Sequence, residues 1–182
     1  MYLTIVRMSH RLTSAALRGF TLIEMITVVI LIGVASAIVL PGLGTRDDLK
    51  TLSAARQLSA DLTFAQSRAV ATQKILYVAF DLAGNRYRVL DAMDPPHVIA
   101  DPALTQPLDR ILGAGALKGV QLETADFDGG HVLAFDAMGM PYGYCLATGF
   151  LTPLKSGSVI LRERSQTLTV SIEPGSGQTK IR

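Results

Sequence analysis

A long apolar segment that contains one carboxylate constrains this chain of 182 residues more than any other feature. Between residues 20 and 45, Glu24 is the single charged side chain. A helix rises about 1.5 Å per residue, so this segment is long enough to cross the roughly 30 Å hydrocarbon core of a bilayer. The sequence predicts a transmembrane helix over residues 20–45.

Charges on either side of the segment predict its orientation. Arg7, Arg11 and Arg18 precede it, and Asp47 and Asp48 follow it. By the positive-inside rule, the N-terminus lies in the cytoplasm and the rest of the chain lies across the inner membrane, in the periplasm. A cleaved secretory signal is the alternative, but the apolar run is too long and the small residues 35–37 lie inside it.

Glu24 needs an electrostatic partner if it enters lipid. A carboxylate at the centre of a bilayer costs about 2.5 kcal/mol or more, and less near an interface. No Lys, Arg or His lies between Gly19 and Arg46. We therefore expect the partner of Glu24 to come from outside this segment.

Residues 18–24, Arg-Gly-Phe-Thr-Leu-Ile-Glu, are followed by the apolar segment. This arrangement resembles the prepilin signature of type IV pilins and type II secretion pseudopilins. The resemblance implies that prepilin peptidase cuts between Gly19 and Phe20, so that residues 1–19 are a leader and Phe20 becomes the N-methylated first residue. It also implies that Glu24 pairs with the terminal amine of a neighbouring subunit during assembly. A start at Met8 instead of Met1 leaves the cleavage position unchanged.

Pro41 lies near the end of the apolar run, where it removes a backbone hydrogen bond and kinks or ends the helix. Beyond it, residues 46–74 predict an amphipathic continuation of the helix. Their small and apolar residues recur at spacings of three and four, which places them on one face: Ala55, Leu58, Leu62, Ala65, Ala69 and Thr72.

Residues 75–182 change to the period of two that is typical of strands. Residues 75–81 and 86–91 predict a hairpin with Gly84 and Asn85 in its turn, and residues 92–106 predict a long excursion. Further strands are predicted at 120–124, 132–136, 142–146, 159–163, 167–173 and 179–182. The expected fold class is α+β, with a long N-terminal helix packed on an antiparallel β-sheet or β-sandwich.

Two stretches in the β region, HVLAFDAMGMP at 131–141 and LTVSIEPGSGQTKIR at 168–182, resemble the GspH/FimT group of minor pilins. This resemblance implies a pilin-like fold and a non-enzymatic minor pseudopilin, type II secretion system protein H. Its implied partners are other pseudopilins or pilins, contacted through the N-terminal helix, together with prepilin peptidase, the inner membrane and secreted proteins. No cofactor is implied. The alternative is a FimT-like minor pilin that acts in pilus assembly or DNA uptake.

The charge balance bears on that alternative. The full chain has 17 basic and 15 acidic residues, a formal net charge of +2. Removing residues 1–19 takes away three arginines, which leaves 14 basic against 15 acidic residues, so composition gives no support for nucleic-acid binding. Lys180 and Arg182, with Arg162 and Arg164 nearby, could contact phosphate groups, but a solvated strand edge explains them better.

Other chemistry-bearing residues are isolated in sequence. Cys145 is the only cysteine, which excludes an intrachain disulfide, and it is expected to be a small buried apolar group. His97 and His131 have no neighbour in sequence that makes a catalytic pair. Asp126 and Asp128 resemble the start of a calcium loop, but no glutamate closes it, so a turn is the better interpretation.

Overall fold

The structure, a computed structural model, describes residues 20–39, 46–101 and 105–182. The chain divides into two compact units, Met1–Leu43 and Gly44–Arg182. The described part of the first unit is one helix, α1, Leu22–Val39. The predicted leader, Pro41 and the junction between the two predicted helical segments lie outside the described residues.

The predicted membrane span is not confirmed by this helix. Among the helices in the described ranges, none has both the length and the apolar character needed to cross a membrane.

The second unit begins with α2, Arg46–Thr72. Five members of the predicted apolar stripe are at most 1% exposed: Ala55, Leu58, Leu62, Ala65 and Ala69. Thr72, the sixth, is exposed at the end of the helix. α2 covers residues 46–72 of the predicted 46–74, and it buries the expected face.

Eleven strands follow in the described part of the second unit. In chain order they are β1 (Leu76–Asp81), β2 (Arg86–Met93), β3 (Pro96–Val98), β4 (Asp109–Ile111), β5 (Gln121–Phe127), β6 (Val132–Phe135), β7 (Pro141–Tyr144), β8 (Leu151–Pro153), β9 (Gly157–Glu163), β10 (Gln166–Ile172) and β11 (Thr179–Ile181).

These strands form two antiparallel sheets. The first has the order β3-β2-β1-β6-β7-β8, with β4 also paired to β2. The second has the order β11-β10-β9-β5. The predicted α+β class is confirmed, and the hairpin at 75–91 forms as expected. The three-residue strands β3, β4 and β8 were not predicted.

A single cluster of apolar side chains fills the space between α2 and the inner faces of both sheets. Phe80 of β1 and Phe127 of β5 connect the sheets, with their ring centroids 5.3 Å apart. Because strand side chains alternate in direction, every second residue of these strands points away from this core.

Polar contacts attach α2 to each sheet. On the first sheet, the Tyr87 hydroxyl donates to Asp61 Oδ2 at 2.7 Å. On the second sheet, Lys50 Nζ lies 3.0 Å from Glu163 Oε1, and the Glu163 side chain is 4% exposed.

The side chain of Gln66 on α2 reaches both sheets. Its Nε2 donates to Gly139 O at 2.8 Å and to Ser176 O at 2.7 Å, in the turns after β6 and after β10. Gly177 leaves room for this amide, since a Cβ there would lie 2.6 Å from Gln66 Nε2. Gly177 also has φ +70, which favours glycine.

Candidate assembly site at the start of the N-terminal helix

The first turn of α1 has a defined cap. The backbone N–H of Glu24 donates to Thr21 Oγ1 at 3.3 Å. Thr21 and Glu24 thus occupy the N-cap and N3 positions of a Thr-x-x-Glu capping sequence. The sequence carried this signal. The observed bond uses the backbone N–H of Glu24, and its carboxylate lies in the first turn, where the helix dipole favours a negative charge.

Glu24 differs from the other polar side chains of α1. In residues 20–36 these are Thr21, Glu24, Thr27 and Ser36. The hydroxyls of Thr27 and Ser36 donate to main-chain carbonyls four residues earlier, at 2.8 and 2.7 Å. Such bonds satisfy a hydroxyl within an apolar environment. The described part of the first unit, residues 20–39, contains no basic side chain that could pair with the Glu24 carboxylate.

The surface of α1 is apolar and exposed. Phe20 is 78% exposed and Leu22 77%. A shallow apolar groove runs along the helix, lined by Leu22, Met25, Ile26, Val29 and Ile30. Their spacing of three and four places them on one face. Within the described ranges, α1 therefore presents a continuous apolar surface with one carboxylate at its N-terminal end.

Comparison with known proteins identifies the second unit. Residues 54–176 match the family described as Type II transport protein GspH. The chain belongs to the GspH family. Two crystal structures of the type IV minor pilin FimU from Pseudomonas aeruginosa (strain PAO1) are similar, each at 19% identity and a TM-score of 0.43. Each alignment covers 72% of this chain. It covers 91% of the FimU chain in one crystal structure and 85% of the FimU chain in the other. No curated protein matches the chain.

The GspH match includes most of α2 and the strands as far as the turn after β10. The family consists of structural pilin-like proteins, in agreement with the resemblance of residues 131–141 and 168–182. Membership of this family does not distinguish a subunit of a pseudopilus from a subunit of a pilus.

The structure places the predicted basic edge on β11 and at the chain end. Lys180 Nζ lies 2.7 Å from Glu173 Oε2. This ion pair, with the nearby charge of Arg182 as a smaller contribution, lowers the pKa of Glu173. The positive charge of Lys180 is thus partly matched within the protein, which weakens the case for a phosphate contact.

The two histidines lie on different parts of the first sheet. His97 Nδ1 is 2.6 Å from Asp91 Oδ1, a contact between residues six apart that sequence reasoning did not identify. His131 Nδ1 is 2.6 Å from Ala125 O and must carry the hydrogen of that bond. His97 is in β3 and His131 immediately precedes β6; those strands are three spacings apart, about 14 Å.

The expectation for Cys145 was wrong, because the thiol is exposed. It lies in the loop after β7. Hydrogen bonds from Thr148 lower the pKa of the thiol, and a weaker contribution comes from the backbone amide of Ala147.

Asp126 and Asp128 behave as turn residues. Asp126 Oδ1 accepts from the Gly129 amide at 2.8 Å, and Asp128 accepts from the backbone amides of Lys155 and Ser156 at 2.8 and 3.0 Å.

Proposed function

We propose that this protein is a minor pseudopilin of a type II secretion system, a structural subunit that assembles through its N-terminal helix. The observation that carries the proposal is the isolated carboxylate of Glu24 on the otherwise apolar, exposed surface of α1. An apolar helix with this exposure is stabilised by packing against other helices, in a membrane or in a filament. The GspH family membership of the second unit supports the same function.

Glu24 is the register element of this assembly. Prepilin peptidase cuts between Gly19 and Phe20, and the new amino group of Phe20 is methylated. In the filament, the positively charged amine of one subunit lies against the Glu24 carboxylate of another. In an apolar environment an opposite charge at contact distance offsets much of the cost of removing the carboxylate from water.

Before assembly, the precursor is held in the inner membrane by residues 20–45. Support comes from the sequence: the apolar run extends beyond α1 as far as Leu43, and Arg7, Arg11 and Arg18 favour a cytoplasmic N-terminus. The second unit then lies in the periplasm and becomes part of the periplasmic pseudopilus, which acts in secretion across the outer membrane.

The mass and N-terminal sequence of the mature protein test the processing step. Protein isolated from cells with an active prepilin peptidase is expected to begin with N-methylated Phe20. A chain that retains residues 1–19 in those cells would contradict the proposal. Gly19→Val serves as the control, because it should block cleavage and leave the second unit folded.

Two substitutions at Glu24 separate the register role from the capping role. Gln is also suited to the N3 position of a capping box, so Glu24→Gln removes the charge and keeps the cap. We expect Glu24→Gln and Glu24→Leu both to abolish filament assembly, measured by the amount of sheared pseudopili. If Glu24→Gln assembles normally and only Glu24→Leu fails, the carboxylate acts through capping and the proposed charge pairing is wrong.

DNA binding tests the pilus alternative. The pseudopilin assignment predicts no salt-dependent binding of double-stranded DNA by the purified full chain. Binding that weakens with salt and is lost in Lys180→Ala/Arg182→Ala would favour a minor pilin active in DNA uptake. Glu173→Ala is a sensitive companion variant, because it frees Lys180 from its ion pair.

A further inference from the structure

We draw no further inference here: the strongest candidate, the cavity of about 250 Å³ between the turn that joins β5 to β6 and the loop that joins β7 to β8, with His131, Tyr144 and Cys145 in its lining, rests on a lone exposed cysteine, and nothing in the described part of the chain shows what would occupy it.

Discussion

The outer faces of the two sheets differ more than their inner faces do. Both inner faces contribute to one apolar core beneath α2. The outer face of the first sheet carries tyrosines over a buried floor, whereas the second sheet directs Thr167, Thr169 and Ser171 of β10 outward. The charges near this second outer face are paired within the domain, with Arg162 2.9 Å from Glu123. The outer face of the second sheet is thus suited to water, whereas the outer face of the first sheet covers buried apolar side chains such as Val132 and Ala134.

The sheets also differ in how they are attached to α2. The second sheet is attached by the ion pair between Lys50 of α2 and Glu163 of β9. The first sheet is attached by the hydrogen bond from the Tyr87 hydroxyl to Asp61, and Asp61 also accepts a hydrogen bond from Arg110. Removing one member of a buried ion pair leaves an uncompensated charge, but removing a phenol hydroxyl leaves the Asp61 ion pair in place. This difference gives the sheets distinct responses to mutation and to pH.

The largest expected effect comes from placing a carboxylate on each outer face. Ala134→Asp should lower the free energy of unfolding by more than about 3 kcal/mol, because Ala134 is completely buried and has no basic neighbour in its register. Thr169→Asp should change it by no more than about 0.5 kcal/mol. Urea unfolding measures both, and equal small effects would show that the outer face of the first sheet is an ordinary solvated surface.

A smaller loss is expected at the attachment of the second sheet. Lys50→Met should lower the free energy of unfolding by about 3 kcal/mol, since Glu163 remains buried without its positive partner. Lys50→Met/Glu163→Gln should recover much of that loss in the same urea titration. A double variant no more stable than the single one would mean that the charge of Glu163 is not the cause.

Tyr87 on the first sheet makes stability sensitive to high pH. Burial, and then the negative charge of Asp61, raise the pKa of Tyr87 well above its ordinary value of 10.0. The unfolded chain therefore releases this proton first, and stability should fall above about pH 10 by up to 1.4 kcal/mol per pH unit. Tyr87→Phe should lower the free energy of unfolding by about 1 kcal/mol at pH 7, because the hydrogen bond to Asp61 is lost. It should also make the free energy of unfolding fall less steeply between pH 10 and 11. Equal slopes for wild type and variant would rule out this role.

The smallest effect concerns the second sheet at low pH. The ion pair with Lys180 lowers the pKa of Glu173 below its ordinary value of 4.5, so its contribution is present above that pH and is lost on acidification. Glu173→Gln should slightly reduce the loss of stability between pH 5 and 3, measured by thermal unfolding. Lys180→Ala is the control, because it removes the ion pair; if Glu173→Gln has the same effect in that background, the ion pair with Lys180 is not the cause.

Regular elements of this fold could be predicted because their signals are local. The stripe from Ala55 to Ala69 has a helical period, and the hairpin between β1 and β2 has alternating residues with Asn85 at φ 48 in the turn. The strands β3, β4 and β8 are three residues long, too short to show a period, and exist because a neighbouring strand supplies their hydrogen bonds. β11 is equally short, but the turn sequence PGSG before it marks where it begins. The exposed position of Cys145 follows from a loop conformation that composition does not specify.

The contact between the rings of Tyr77 and Tyr144 on the outer face of the first sheet could not be predicted from the sequence, for a different reason. Alternation indicates that β1 has two faces, but it does not say which face α2 covers. Tyr77 and Tyr144 meet because β6 lies between β1 and β7, an order that depends on the whole topology. At the candidate assembly site the position of Glu24 was evident from the sequence, whereas its cap by Thr21 was overlooked although the Thr-x-x-Glu spacing was present.

The two hydrogen bonds of Gln66 have a mechanical consequence. One amide nitrogen joins the helix to a turn of each sheet. A pulling force transmitted along α2 therefore acts on both turns together. Gln66 lies near the C-terminal end of α2. A subunit under tension would resist shear between its layers there, and stretching single molecules of Gln66→Ala should require less force to separate the helix from the sheets.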